Sequence, residues 1–157
     1  MTVIAVTGHR DLIDSEGTRR AIDEILASLA PPVVGITTLA AGADQLFAEA
    51  IVAMGAELQV VVPGRDYADS LPADAREGFD RYLRRATSVT TLDIDRVGRD
   101  AYLAAGLAML DGCDLLLAVW DGEPSRGRGG TADLVREARE RGIPVRVVTA
   151  GRAPAES

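Results

Sequence analysis

Six stretches of the chain are mostly apolar or β-branched: TVIAVT at 2–7, VVGITT at 33–38, LQVVV at 58–62, SVTTLDI at 88–94, DLLLAVW at 114–120 and PVRVVT at 144–149. Runs of this length and continuity predict strands, most of them buried on both faces. Between them the apolar spacing lengthens to i, i+3, i+4, i+7: Ile22, Ile25, Leu26 and Leu29, then Phe47, Ala50, Ile51 and Met54, then Phe79, Tyr82, Leu83 and Ala86. That period gathers each set on one face of a helix. Leu103, Leu107 and Leu110 mark a fourth helix around 100–111, and Leu134, Val135 and Ala138 a fifth. Strands alternating with helices predict right-handed crossovers and a mostly parallel sheet of about six strands covered on both sides: a single Rossmann-like three-layer α/β/α domain. PGRDYADSLPAD at 63–74 is the longest connection without a period, readable as a surface loop or as a flap over a ligand.

Composition narrows this picture. The 157 residues, 47% apolar and 26% charged, suit one domain with a sizeable core, expected over 1–150, with the small, polar GRAPAES at 151–157 as a frayed tail. The formal charge of −7 argues against extended contact with a nucleic-acid backbone, whose affinity rests on clustered Lys and Arg. A local phosphate site survives that argument, because a few donors outweigh the global field at short range. Cys113 is the only cysteine, which removes an intrachain disulfide and a Cys-based metal site and fits a reducing compartment. No apolar run approaches the roughly 20 residues that span a bilayer, and MTVIAVTGHRD lacks the pattern of a signal peptide. A cytoplasmic protein without membrane association is expected.

The unusual residues fall at the ends of the expected strands. In an open parallel sheet the carboxyl ends border the crevice where ligands bind. The first strand runs into Thr7-Gly8-His9-Arg10, the second into Ala40-Ala41-Gly42-Ala43-Asp44-Gln45, and the fifth into Trp120-Asp121-Gly122 and then GRGGTAD at 127–133. Gly129 and Gly130 lack the Cβ atoms that hold a ligand away from the backbone, and glycine permits positive φ where a chain turns into a helix. Thr131 is a candidate helix cap, and the unpaired amides of the helix behind it favour an anion. An ordinary capped turn explains the same residues. Gly42 and Asp44 repeat the arrangement; Asp44 reads either as an N-cap or as an acceptor for a ribose hydroxyl.

The remaining candidates divide the same way. Arg10 either pins a phosphate or pairs with Asp11 or Asp14. His9, the only histidine, either bonds a ligand or serves the structure, and one histidine without ligand-spaced partners makes no metal site. Trp120 either stacks on a base or closes the core. Tyr102 lies in sequence near Arg96 and Arg99, where a phenol and two guanidiniums suit a nucleotide and where solvated arginines at a helix start are the plain alternative. Asp121 and Glu123 are candidates for ribose binding or a base, although Asp-Gly also makes a turn.

VTGHR, LAAGADQLFAEAIVAMGA, DLLLAVWDG and GRGGTADLVREARERGIPV together resemble the SLOG superfamily of Rossmann-like proteins. That superfamily includes the lonely guy phosphoribohydrolases, the DNA-processing protein of natural transformation and nucleotide-sensing domains of channels and bacterial conflict systems. The resemblance runs from Val3 to about Val148, and its most specific part is the order and spacing of the Gly-Ala-Asp and Gly-Gly-Thr loops. It implies a nucleotide or nucleotide-derived ligand on the two glycine loops, and a homodimer formed through flanking helices. The lonely guy enzymes carry Pro-Gly-Gly-x-Gly-Thr-x-x-Glu. Here Arg126 stands at the proline, Arg128 at the second glycine and Leu134 at the glutamate, so that carboxylate is missing, and Asp133 falls on a different helical face.

The expected ligand-binding set is therefore Gly8, His9, Arg10, Gly42, Asp44, Gln45, Tyr102, Asp121, Gly129, Gly130 and Thr131, with no cofactor and no metal. Binding or sensing of a nucleotide-like small molecule is the leading reading. Cleavage of the N-glycosidic bond of a nucleoside monophosphate and a ligand-free scaffold are the alternatives.

Overall fold

A computed structural model of the chain describes residues 1–124 and 130–150. Twelve elements follow one another: β1 (Thr2–Gly8), α1 (Ser15–Ala27), β2 (Val33–Thr37), α2 (Ala43–Ala53), β3 (Glu57–Val62), α3 (Tyr67–Ser70), α4 (Ala73–Leu83), β4 (Ser88–Thr91), α5 (Arg99–Gly112), β5 (Leu115–Trp120), α6 (Thr131–Glu140) and β6 (Val145–Thr149). The strands form one sheet in the order β4-β3-β2-β1-β5-β6, and every pairing is parallel. The expected fold class is the observed one.

Alternate side chains of the inner strands face opposite layers. Ile4 and Val6 of β1, Leu117 and Val119 of β5, and Leu58 and Val60 of β3 pack with Ile22, Phe47, Ile51 and Phe79 from α1, α2 and α4. Ala5, Leu116 and Ala118 face the other way, against Met109, Leu110, Leu134 and Val135 of α5 and α6. The cores of β1, β2 and β5 are enclosed on both faces, as their unbroken apolar runs require. β4 departs from that expectation. It is four residues long and exposed throughout, because it is the outer strand of the sheet.

Asp14 caps α1, its carboxylate accepting from the Gly17 amide at 3.0 Å. The face of α5 differs from the one its leucines predict: Ala101, Ala105, Gly106, Met109 and Leu110 are buried, whereas Leu103 and Leu107 are half-buried. Small residues let α5 come close to α6, where a Cβ on Gly106 would lie 2.9 Å from a Leu134 methyl. Met54, assigned to the buried face of α2, is 45% exposed, because the helix ends one residue earlier. The stretch 63–74 holds the short helix α3, and Arg65 binds Asp95 (2.6 Å) and Asp93 across to the β4–α5 connection. Among the described residues no helix is long and apolar enough to cross a membrane.

β1 is the pivot of the topology. From it the chain moves outward through β2, β3 and β4, then crosses back over the sheet to place β5 on the other flank of β1. The helices that follow β1 and β5, α1 and α6, pack on opposite faces of the sheet, which opens a crevice at the carboxyl ends of the two strands.

Candidate functional site at the strand-order reversal

Gly8 is in register with Val119 of β5, and a Cβ on Gly8 would stand 2.8 Å from that of Val119. Close packing at the end of β1, with Ala43 of α2 also in contact, is what demands glycine. Just above it lies a cavity of about 100 Å³, lined by residues that include Gly8, Arg10, Asp44, Tyr102, Gly130 and Thr131 of the expected set. Elements as distant in sequence as β1 and α6 meet there: Thr7 Oγ1 and Thr131 Oγ1 are 3.5 Å apart. Asp44 of the β2–α2 turn and Gly130 and Thr131 at the start of α6 therefore stand on one rim of the sheet.

Asp44 is the chemical centre of the cavity. It is 5% exposed, and its Oδ2 accepts from Thr38 Oγ1 (2.8 Å), Thr37 Oγ1 (3.1 Å) and the Thr38 amide (3.3 Å). All three bonds converge on one oxygen, which leaves Oδ1 open to a ligand. Burial raises the carboxyl pKa above its ordinary value, opposed by the threonine bonds and by the charge of Arg10. The N-cap reading of Asp44 is overturned: Gly42 is the cap residue, and Asp44 already lies in the first turn. Its oxygen is turned back onto β2 because Leu39 takes a left-handed φ of 58°, a conformation that costs a non-glycine residue about 1–3 kcal/mol. The buried Leu39 side chain and its amide, donating to Thr37 Oγ1 at 3.0 Å, hold that turn.

Gly42 has φ 75°, and a Cβ there would meet the carbonyl oxygens of Arg10 and His9. Its glycine is thus needed for contact between two loops, and the Ala43 amide beside it donates to the His9 carbonyl at 3.1 Å. That amide is unavailable to a ligand. Thr131 is not the cap of α6 either: Gly130 is, without a side-chain bond, and Thr131 is the first helical residue. Gly130 has φ −74°, an angle open to any residue, so positive φ is not its reason. Gly129 lies outside the described residues.

Arg10 pairs with neither Asp11 nor Asp14. The guanidinium carbon stands 4.8 Å from the centroid of the Tyr102 ring, and the residue is exposed. A cation over a π face keeps its outward edge for an anion. Tyr102 in turn meets the Tyr67 ring edge to face at 6.2 Å.

Three expected residues face elsewhere. Gln45 Nε2 donates to the carbonyls of Leu39 (3.1 Å) and Ala75 (2.8 Å), so its amide clamps the β2–α2 loop to α4. His9 is 7% exposed. Its Nε2 accepts from the Asp121 amide at 2.9 Å and lies 3.2 Å from Asp121 Oδ1. Asp121 Oδ1 accepts from the Glu123 amide at 2.9 Å, the turn that Asp-Gly suggests. His9 and Asp121 thus tie the ends of β1 and β5 together below the cavity. Trp120 Nε1 donates to the Glu123 carbonyl at 2.9 Å, while its ring packs on the α5–α6 side of the core.

Sequence reasoning missed Tyr67 and Thr38. Tyr67 comes from the 63–74 stretch and lines the cavity; it is 1% exposed, yet its hydroxyl has no hydrogen-bond partner. Burial and the nearby Asp44 carboxylate push the phenol pKa well up, so the hydroxyl keeps its proton. Thr38 is close enough to oppose that rise slightly but does not bond it. The only sequence signal for Tyr67 is an aromatic in a chain with 4% aromatics. Beside the cavity, on the same rim, Ile94, Arg96, Gly98, Arg99, Asp100 and Ala101 line an open groove.

The fold has counterparts among solved structures. DNA processing protein A from Streptococcus pneumoniae superposes with a TM-score of 0.68 at 17% identity, over 94% of this chain and 50% of that one. The fold is similar to that of part of DNA processing protein A. The Helicobacter pylori protein of that name matches with a TM-score of 0.68 at 15% identity, over 93% of this chain and 64% of the other. TM1055 matches at 0.61 and 15% identity, over 92% and 72%. This chain thus spans about half the length of the first of these. No family model matches the sequence, and no curated protein matches it significantly. The Rossmann-like fold that the SLOG resemblance implies is the observed one. The expected exclusion of nucleic acid is not upheld: the H. pylori structure is described as showing a single-stranded DNA binding mode. Net charge sums the whole surface and says nothing of local sites: Arg10 lines the cavity, and Arg96 and Arg99 line the groove.

Proposed function

We propose that the domain binds a nucleotide or a nucleotide-derived phosphate through the crevice between β1 and β5. One observation carries this reading: a single cavity joins an arginine free of ion pairs among the described residues, the first turn of α6, and a buried carboxylate with one open oxygen. Arg10 and the α6 amides receive the phosphate, and Asp44 Oδ1 accepts from a sugar hydroxyl. Small-molecule pockets usually measure about 300–1,000 Å³. A cavity of about 100 Å³ takes the sugar-phosphate portion and leaves the base outside it, near Tyr102.

Binding is favoured over glycosidic cleavage. Leu134, at the position of the signature glutamate, is a buried residue lining the cavity, and Asp44 is the one carboxylate among the described lining residues. Thermal unfolding with AMP, ADP-ribose and adenosine tests the reading. A ligand at a hundred times its dissociation constant adds about 2.7 kcal/mol, or roughly 5–10 °C for a domain of this size. A shift with AMP and ADP-ribose but not adenosine is expected; no shift with any of them refutes the reading. Chromatography for free base in the same mixtures reports turnover.

The groove lined by Arg96 and Arg99 favours a second reading, in which the phosphate site is one step of a track for single-stranded DNA, the ligand named for the H. pylori protein. Fluorescence anisotropy with labelled oligo(dT) tests it. Affinity that falls linearly on a log-log salt plot supports the track, and no binding at low salt excludes it.

A further inference from the structure

The Tyr67 hydroxyl is the one buried side-chain polar atom among the described residues left without a partner. Orphans of this kind cost about 1–3 kcal/mol and need a reason. The ring itself is well placed for packing, edge-on to Phe79 at 5.6 Å and to Tyr102 at 6.2 Å, so phenylalanine would fill the same space. The oxygen therefore contributes nothing visible to the fold. It belongs to the lining of the cavity that also holds Asp44, near enough to that carboxylate for the two to interact.

Tyr67 offers a proton, and Asp44 Oδ1 offers lone pairs, since the three threonine bonds all fall on Oδ2. A hydroxyl group satisfies both at once, accepting from Tyr67 and donating to Asp44. A methylene satisfies neither. We infer that Tyr67 and Asp44 form a hydroxyl-reading pair that sorts ribose from 2′-deoxyribose ligands, with Tyr67 as the specificity-determining residue. Sites built to hydrogen-bond a hydroxyl reject the analogue lacking it much more strongly than apolar pockets reject a missing methylene, because the buried groups are then stranded.

The inference rests on the nucleotide reading above, and its test separates the two. Calorimetric titration of the whole chain with AMP and 2′-deoxy-AMP, each against wild type and Tyr67→Phe, gives four affinities. The expected result is a preference for AMP of about tenfold or more in wild type, consistent with the loss of hydrogen bonds to buried groups, and a several-fold reduction of that preference in Tyr67→Phe through weaker AMP binding alone, the bond to Asp44 remaining. Without ligand, Tyr67→Phe should melt at the same temperature as wild type or higher, whereas a hydroxyl serving the fold would lower it. Equal affinities in wild type, or a preference undiminished in Tyr67→Phe, overturn the hydroxyl-reading pair while leaving nucleotide binding intact. Absence of binding to both compounds overturns both.

Discussion

Replacing Asp44 by asparagine separates what this side chain does for the fold from what it offers a ligand. Its Oδ2 anchors Thr37 and Thr38 through three hydrogen bonds, and an amide oxygen in the same place accepts all three. Asp44→Ala loses them and strands two threonine hydroxyls. At about 1 kcal/mol per bond plus the penalty for stranded groups, that variant loses about 3–5 kcal/mol, a fall of roughly 10 °C or more. Asp44→Asn keeps the bonds and removes a charge that burial disfavours, so its melting temperature should equal or exceed that of wild type. The sign with pH follows from linkage. A carboxyl whose folded pKa is raised above the unfolded 3.8 binds its proton more tightly in the native state. Wild type therefore loses stability as pH rises from about the unfolded value through the folded one, and Asp44→Asn gains on it across that window. Melting curves of the three proteins from acid to neutral pH check this, with AMP titration as the functional arm. An Asp44→Asn protein that melts as early as Asp44→Ala would refute the reasoning, because the charge itself would then be holding the β2–α2 turn.

Other consequences are as direct. Gly42→Ala must take φ 75° and press on the carbonyls of Arg10 and His9; a loss of at least about 2 kcal/mol is expected, and chemical denaturation within error of wild type would contradict the geometry. Arg10→Ala should weaken phosphate-bearing ligands about tenfold or more while leaving nucleosides alone, since the guanidinium has no ion pair among the described residues to give up; equal weakening in calorimetry would remove Arg10 from the phosphate role. Arg96→Ala with Arg99→Ala, both exposed residues, should leave melting unchanged and flatten the salt dependence of any oligo(dT) binding by up to about two ion contacts; an unchanged slope would take the groove out of the track.

The sheet was legible because continuous apolar runs such as DLLLAVW are what a strand covered on both faces needs, and Leu115 to Val119 are indeed buried throughout. The meeting of Gly8, Arg10, Asp44, Gly130 and Thr131 around one cavity was legible too, from their places at strand ends. Roles were harder to read. Gly42 signals a tight approach, but the sequence does not say whether a ligand or a neighbouring loop approaches, and here it is the Arg10 loop. Leu103 and Leu107 outweigh Ala105 and Gly106 in any hydrophobic count, although closely packed helices favour the small pair. Tyr67 was invisible as a site residue because the stretch that carries it into the cavity lining is fastened by a latch between 63–66 and 93–97, where the Asp66 carboxylate accepts from the Val97 amide at 2.7 Å. No local pattern encodes such a long-range fastening.

The crossover that sets β5 beside β1 also governs how a bound molecule would be felt. Thr7 and Thr131 are 124 positions apart, so an occupant touching both spans segments that cannot open independently without releasing it. Occupancy would then protect the central strands against their slowest, whole-molecule opening, and amide exchange there would slow while frayed segments exchanged as before.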